Sequence, residues 1–223
     1  MSSDEPTEFT GFPPEAYDFY EELEADNTKA FWTEHKQVYD TAVKQPMLAL
    51  CDLLAPEFGT AKVFRPYRDV RFSKDKTPYK TSQAAVLGMA DGAGAAYVQL
   101  SAAGLMVGAG YHEMAGDQLA RFRESVDDET LGEQLGVVLA TIGEAGHTIE
   151  GDRMKTRPRG YPEDHPRLDL LRYRTLIATH TFAPEDWQHT PEAADVIAGT
   201  WREMSPLNAW LERNVGPTHQ TRG

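Results

Sequence analysis

The sequence predicts an α+β fold in one domain, its mainly antiparallel sheet drawn from the central segment and packed with N-terminal and C-terminal helices. Three observations predict it. Apolar residues recur at helical spacing up to residue 54, extended segments parted by turn residues run from 62 to 110, and helical spacing returns from 117.

Pro13-Pro14-Glu15 opens a first helix, because proline suits the first turn and a carboxylate suits the positive end of the helix dipole. Ala16, Phe19, Tyr20 and Leu23 form its apolar face. Asn27 or Thr28 caps a second helix, whose stripe runs Phe31, His35, Tyr39, Val43, Met47, Leu50 and Leu54. Pro46 falls inside that stripe and predicts a kink or two consecutive helices. Phe31 and Trp32 read as core and not as a ligand platform.

Val63–Phe72, Thr81–Leu87, Tyr97–Ser101 and Leu105–Gly110 read as strands. The Gly/Ala-rich loop Gly88–Ala95 and the turn Ala102-Ala103-Gly104 separate them, and the last two form a hairpin. Helices follow at Asp117–Val126 and Leu131–Ile142, with a weak strand at His147–Glu150. A basic loop rich in proline and glycine leads to a short helix at Leu168–Tyr173 and a strand at Leu176–Phe182. Thr190-Pro191-Glu192 opens a last helix, interrupted near Ser205-Pro206 before Leu207–Leu211. Residues 1–8 and 215–223 read as disordered tails around a domain spanning 9–214.

Hydrophobic residues make 40% of the 223 and charged residues 26%, a globular balance. No run of about 18 apolar residues exists to span a membrane. The acidic, polar start lacks the basic and apolar regions of a secretory signal, so a cytoplasmic protein is expected. The single Cys51 forms no intramolecular disulfide and no thiolate cluster, and its neighbours Met47–Leu54 predict a buried, inert thiol. The seven His never fall at metal-ligand spacing, so no metal site is expected, and no residue pattern names a cofactor.

Net charge is −13, which repels nucleic acid and anionic membranes on average, so duplex binding is not expected. The basic residues are nevertheless gathered. Fourteen of the 22 lie in residues 62–80 and 153–174, where they outnumber the acids by 5 and by 4. The first of these segments contains Arg68-Asp-Val-Arg-Phe-Ser-Lys-Asp-Lys-Thr-Pro-Tyr-Lys80, which Thr77-Pro78 makes a shaped loop instead of a solvated helix face. In strand phasing Arg68 shares a face with Phe64, Val70 and Phe72, while Arg65 and Arg71 take the other. An arginine on an apolar face needs a partner, and Asp69 or Asp75 can supply it. Two readings stand: ligand binding, or an internal ion-pair network. The second segment, Arg153-Met-Lys-Thr-Arg-Pro-Arg-Gly-Tyr-Pro162, is stiffened in the same way. Two such loops either converge on one anion or pair separately with nearby carboxylates.

Gly108-Ala-Gly110 lacks the third glycine of a dinucleotide fingerprint, and Gly88–Gly94 lacks the Gly-Lys-Ser/Thr of a P-loop. No Gly-x-Ser-x-Gly elbow is present, and Ser73 lies among cations without a base. Were a reaction catalysed, His112, Asp69 or Asp75 would be the acid or base, though each reads first as structural.

Phe12-Pro-Pro-Glu15, Asn27-Thr-Lys-Ala-Phe-Trp32, the long basic motif from Arg68 to Lys80, Gly108-Ala-Gly110, Gly151-Asp-Arg-Met-Lys155 and Arg157-Pro-Arg-Gly-Tyr-Pro-Glu-Asp-His-Pro166 together resemble the domain of unknown function 2461 family. The resemblance runs from about residue 9 to 213. It implies a cytosolic protein of bacterial or fungal type with one domain, and it implies no activity.

The function expected from the residues is binding of a small phosphate- or carboxylate-bearing molecule. Arg65, Arg68, Arg71, Lys74, Lys80, Lys155 and Arg157 would line the cleft, with Tyr79 and Tyr161 adding hydrogen bonds or stacking. Whether a reaction follows is left open. The alternatives are a non-catalytic module for nucleic acid or a phosphorylated partner, and a purely structural role for both loops.

Overall fold

The computed structural model of the chain describes residues 8–71, 73–88 and 94–219. Pro14 starts α1 (Pro14–Ala25), and Ala16, Phe19, Tyr20 and Leu23 are buried along it as their spacing predicts. Thr28 is the cap of α2 (Lys29–Val38), its hydroxyl accepting from the Phe31 N–H at 3.2 Å. The long stripe does break near Pro46, in an instructive way. Residues Tyr39–Lys44 form a π-helical turn, and α3 (Gln45–Phe58) resumes with Pro46 in its first turn, where a missing N–H costs nothing.

Six strands form one antiparallel sheet, β1 (Ala61–Val63), β2 (Ser82–Leu87), β3 (Ala95–Ser101), β4 (Gly104–Tyr111), β5 (Thr148–Glu150) and β6 (Leu176–Phe182), in the order β1-β2-β3-β4-β6-β5. With the helices around it the fold is α+β, as predicted. The expected strand Val63–Phe72 is a correction: β1 ends at Val63, having paired Ala61 with Leu87 and Val63 with Ala85. Beyond it Pro66 and Pro78 lack the N–H groups a ladder needs. Only separate bonds persist there, such as Phe64 N–H to Ala84 O at 2.9 Å and the lone bridge between Tyr67 and Tyr79.

The remaining helices are α4 (Gly116–Asp127), α5 (Glu129–Glu144), α6 (Leu168–Leu171) and α7 (Glu192–Asn214), with a 3-10 turn at Asp186–His189. The break expected at Ser205-Pro206 does not occur, and α7 runs through it. Pro206 leaves the Arg202 carbonyl without its helical donor, and the Ser205 hydroxyl donates to that carbonyl at 2.8 Å instead. Nor is the chain free from 215 onward. Val215 is buried, and Asp117 accepts from the Thr218 hydroxyl at 2.7 Å and the His219 N–H at 2.8 Å. Those two donors, with Arg121 behind them, hold the Asp117 carboxyl far below the usual carboxylate range. Residues 1–7 and 220–223 of the expected tails, Phe72, and 89–93 of the expected loop lie outside the described residues.

Within the domain the described residues pack as two compact units. One falls within Met1–Leu87, Tyr97–Val107 and Thr181–Gly199, the other within Gly88–Ala96, Gly108–His180 and Thr200–Gly223. The first has Phe12, Leu23, Val43, Met47 and Leu50 fully buried, and the second Phe122, Leu135, Leu171, Leu207 and Leu211. No helix among the described residues is long and apolar enough to cross a membrane.

Candidate functional site

The first basic segment folds largely onto itself. Arg68 hydrogen-bonds the Asp75 carboxylate and the Thr77 hydroxyl, so the internal pairing required of a half-buried arginine is met within its own loop. Asp75 also accepts the Thr77 N–H at 2.9 Å and the Thr77 hydroxyl at 2.8 Å. Its carboxyl is held down to about 2, first by that backbone N–H and then by Arg68. Arg71 grips Asp69 side by side, Nη2 at 2.6 Å and Nε at 3.0 Å, which lowers the Asp69 carboxyl. Lys76 donates to the Val70 carbonyl at 2.9 Å.

Arg65 is placed differently. It is exposed, it forms no close ion pair among the described residues although its charge is felt at Asp69, and it lines a groove of about 500 Å3. One wall of the groove is the run Phe64-Arg65-Pro66-Tyr67, and the other comes from α2, the π turn and α3. Trp32, Lys36, Asp40, Lys44, Leu48 and Asp52, each four residues after the last, all line it. In a regular α-helix a step of four overshoots one turn by about 40°, so such a row winds away from any fixed groove. The wider π turn at Tyr39–Lys44 takes up part of that winding.

The groove's base is aromatic and firmly held. Trp32, 4% exposed, packs on Tyr39 at a centroid distance of 4.7 Å and stacks flat on Tyr79 at 4.2 Å. Tyr39 donates its hydroxyl to Gln83 at 2.7 Å, and Gln83 in turn donates to the Phe64 carbonyl at 2.8 Å. Burial pushes the Tyr39 phenol well above its usual range. The Trp32 indole N–H is buried and has no hydrogen-bond partner among the described residues. Cys51 also lines the groove, but burial, with Asp52 adding to it, pushes its thiol up to about 12. It is inert as a nucleophile near neutral pH.

The other expected residues fall as follows. Lys74 is exposed without a carboxylate partner among the described residues, and Lys80 lies with Nζ 5.4 Å from the Phe64 ring centroid. Tyr79 is 6% exposed, beneath Trp32. Lys155, Arg157 and Tyr161 belong to the second unit. There Lys155 is exposed, and Arg157 donates to the Tyr161 carbonyl at 2.7 Å and lies 3.5 Å from Glu163. Much of that segment's charge is structural. Arg153 covers the Tyr173 ring at 4.1 Å, Arg174 pairs with Asp152 at 2.8 Å, and Arg167 donates to the Val126 and Asp127 carbonyls that end α4. Gly132 makes room for this last contact, since a Cβ there would sit 2.4 Å from the Arg167 Nε.

His112 is exposed after β4, and Asp69 and Asp75 are each occupied by an arginine. Among the described residues no cluster of three His, Cys, Asp or Glu side chains could hold a metal ion. Two other grooves lack a cation of either basic segment. One of about 220 Å3 beside Gly11 and His189 has no lysine or arginine, and one of about 560 Å3 between α5 and α7 has only Arg213. Lys36, Lys44, Asp52 and Tyr67 were not legible as site residues. The signal that would have found Lys36, Lys44 and Asp52 is the row of four-residue steps from Trp32, hidden under the stronger core stripe from Phe31.

A family described as "Conserved hypothetical protein (DUF2461)" matches residues 15–210. No curated protein and no solved structure matches the chain.

Proposed function

We propose that this chain, which belongs to the DUF2461 family of conserved hypothetical proteins, binds a small carboxylate- or phosphate-bearing molecule in the groove of its first unit, with Arg65 gripping the anion. One observation carries the reading. Arg68 and Arg71 of the basic segment are already ion-paired with carboxylates, whereas Arg65 forms no ion pair among the described residues, acts on Asp69 only through space, and lines a concave site. A guanidinium takes a carboxylate or phosphate through two parallel hydrogen bonds. Lys36 and Lys44 add charge, although Asp40 pairs with Lys36 and Asp52 opposes it.

A compact pocket suits a chain of net charge −13, since its field is local and acidic groups more than a Debye length of about 10 Å away are largely screened. The arginines spent on Asp69 and Asp75 leave few cations for a nucleic-acid backbone. Lys155, Arg157 and Tyr161 are not among the residues that line the groove. The reading is of a binding site, and the buried Cys51 has no part in it. A cytoplasmic setting agrees with a lone buried cysteine.

Thermal-shift measurements at low salt with phosphate, acetate, citrate and benzoate test it. At least one anion is expected to raise the melting temperature, and Arg65→Ala to remove the shift while leaving the unliganded protein as stable as before. If no anion shifts it, or the shift survives in Arg65→Ala, the proposal fails.

A further inference from the structure

We infer that the ligand of this groove is an aromatic carboxylate, its ring resting on Tyr67 and a polar atom of it accepting the indole N–H of Trp32; this deepens the reading of the groove as an anion site and rests on it. Four observations lead there. The large hydrophobic side chains that are exposed include Leu48, Leu53, Tyr67 and Val137, and two of these, Leu48 and Tyr67, line this groove. Exposed apolar surface concentrated in a concavity marks a contact surface for an apolar group.

Second, Tyr67 is 49% exposed although its ring lies only 6.1 Å from Trp32 and 5.6 Å from Tyr79. The aromatic cluster is therefore open on its Tyr67 side. Third, Trp32 is 4% exposed and its N–H is unpartnered. A buried donor without an acceptor destabilises the fold, because its lost hydration is not replaced. A ligand acceptor would satisfy it, and a bare alkyl or aryl group would not.

Fourth, Arg65 and Tyr67 flank the bend at Pro66 and both line the groove. One groove thus offers a cation and an exposed aromatic ring, which suits a carboxylate joined to a ring. Asp52 sharpens the point. With a carboxylate at the groove and only modest positive excess, charge alone holds a small anion weakly, and the ring contact must supply the rest.

The test compares benzoate, cyclohexanecarboxylate, acetate and inorganic phosphate by isothermal titration against the full chain, with intrinsic tryptophan fluorescence as a second readout. Benzoate should bind about tenfold tighter than acetate, which corresponds to about 1.4 kcal/mol, and should perturb tryptophan emission. Tyr67→Ala, at an exposed position that leaves folding intact, should erase the advantage of benzoate while acetate binding persists. Trp32→Phe should weaken benzoate several-fold. Arg65→Ala should abolish binding of both. Acetate or phosphate binding as tightly as benzoate through Arg65, or cyclohexanecarboxylate matching benzoate, would overturn the aromatic ligand and leave the anion site standing. No binding by any of the four would overturn both.

Discussion

The rings of Trp32 and Tyr79 stack with centroids 4.2 Å apart and planes only 7° from parallel. Asn27 reinforces the join. Its side-chain amide donates to the Tyr79 carbonyl at 3.0 Å and its side-chain oxygen accepts the Tyr79 N–H at 3.1 Å. The residue just before the α2 cap thus takes the place of a missing strand beside Tyr79, and the basic loop is anchored where Pro78 prevents a ladder.

Tyr79→Ala is accordingly expected to cost about 3–4 kcal/mol, as loss of a buried aromatic does. Tyr79→Phe keeps the stack and should cost under about 1 kcal/mol. Urea unfolding of both variants checks this. Similar losses in the two would mean that the hydroxyl and not the ring holds the loop.

Gln83 is fully buried and bonds in three directions, accepting from the Tyr39 hydroxyl and donating to the Phe64 and Ala84 carbonyls. Gln83→Ala strands buried polar groups and should destabilise by about 2–3 kcal/mol. In a pair with Tyr39→Phe the losses should be less than additive. Additive losses in a double-mutant cycle would show that the two do not share a bond.

Asp75 gives the loop an acid limit. Its carboxyl is held down to about 2, against about 3.9 in an unfolded chain. The sign follows: the stabilisation is complete above the unfolded value and is lost as pH falls from about 4 toward about 2. An NMR titration of the Asp75 carboxyl carbon should show a midpoint near 2, rising in Thr77→Val. A midpoint near 4 in the wild type would contradict the pairing.

Gly110 and Gly108 should differ sharply. Gly110 sits at φ 124°, and a Cβ there would lie 2.3 Å from the Leu176 carbonyl oxygen, so Gly110→Ala is expected to cost on the order of 3 kcal/mol or more. At Gly108 the nearest approach is 3.1 Å, to Ala178 O, and alanine should cost about 1 kcal/mol. Thermal unfolding of the two variants decides it.

Most of the fold is readable from periodicity and caps. Thr28, Pro14 and the Ala102-Ala103 turn act locally, so their effects appear in the residues themselves. The failures are non-local. Whether Pro206 breaks a helix depends on Ser205 reaching the Arg202 carbonyl, and a strand pattern from Val63 to Phe72 does not disclose that two prolines will forbid its ladder. The candidate site was half legible. Charge clustering pointed to the segment of Arg65, but composition cannot distinguish Arg71, held by Asp69, from Arg65, which forms no close ion pair among the described residues.

The π turn makes the groove sensitive to chain length. Taking one residue out of Tyr39–Lys44 would restore ordinary α-helical pairing and rotate everything upstream by about 100° relative to α3. Trp32 and Lys36 would swing away from Leu48 and Asp52, and the row would be cut in two with no side chain on it altered. The wall is thus encoded in a count of residues as much as in their kinds, and a single-residue deletion there is a sharper perturbation than any single substitution.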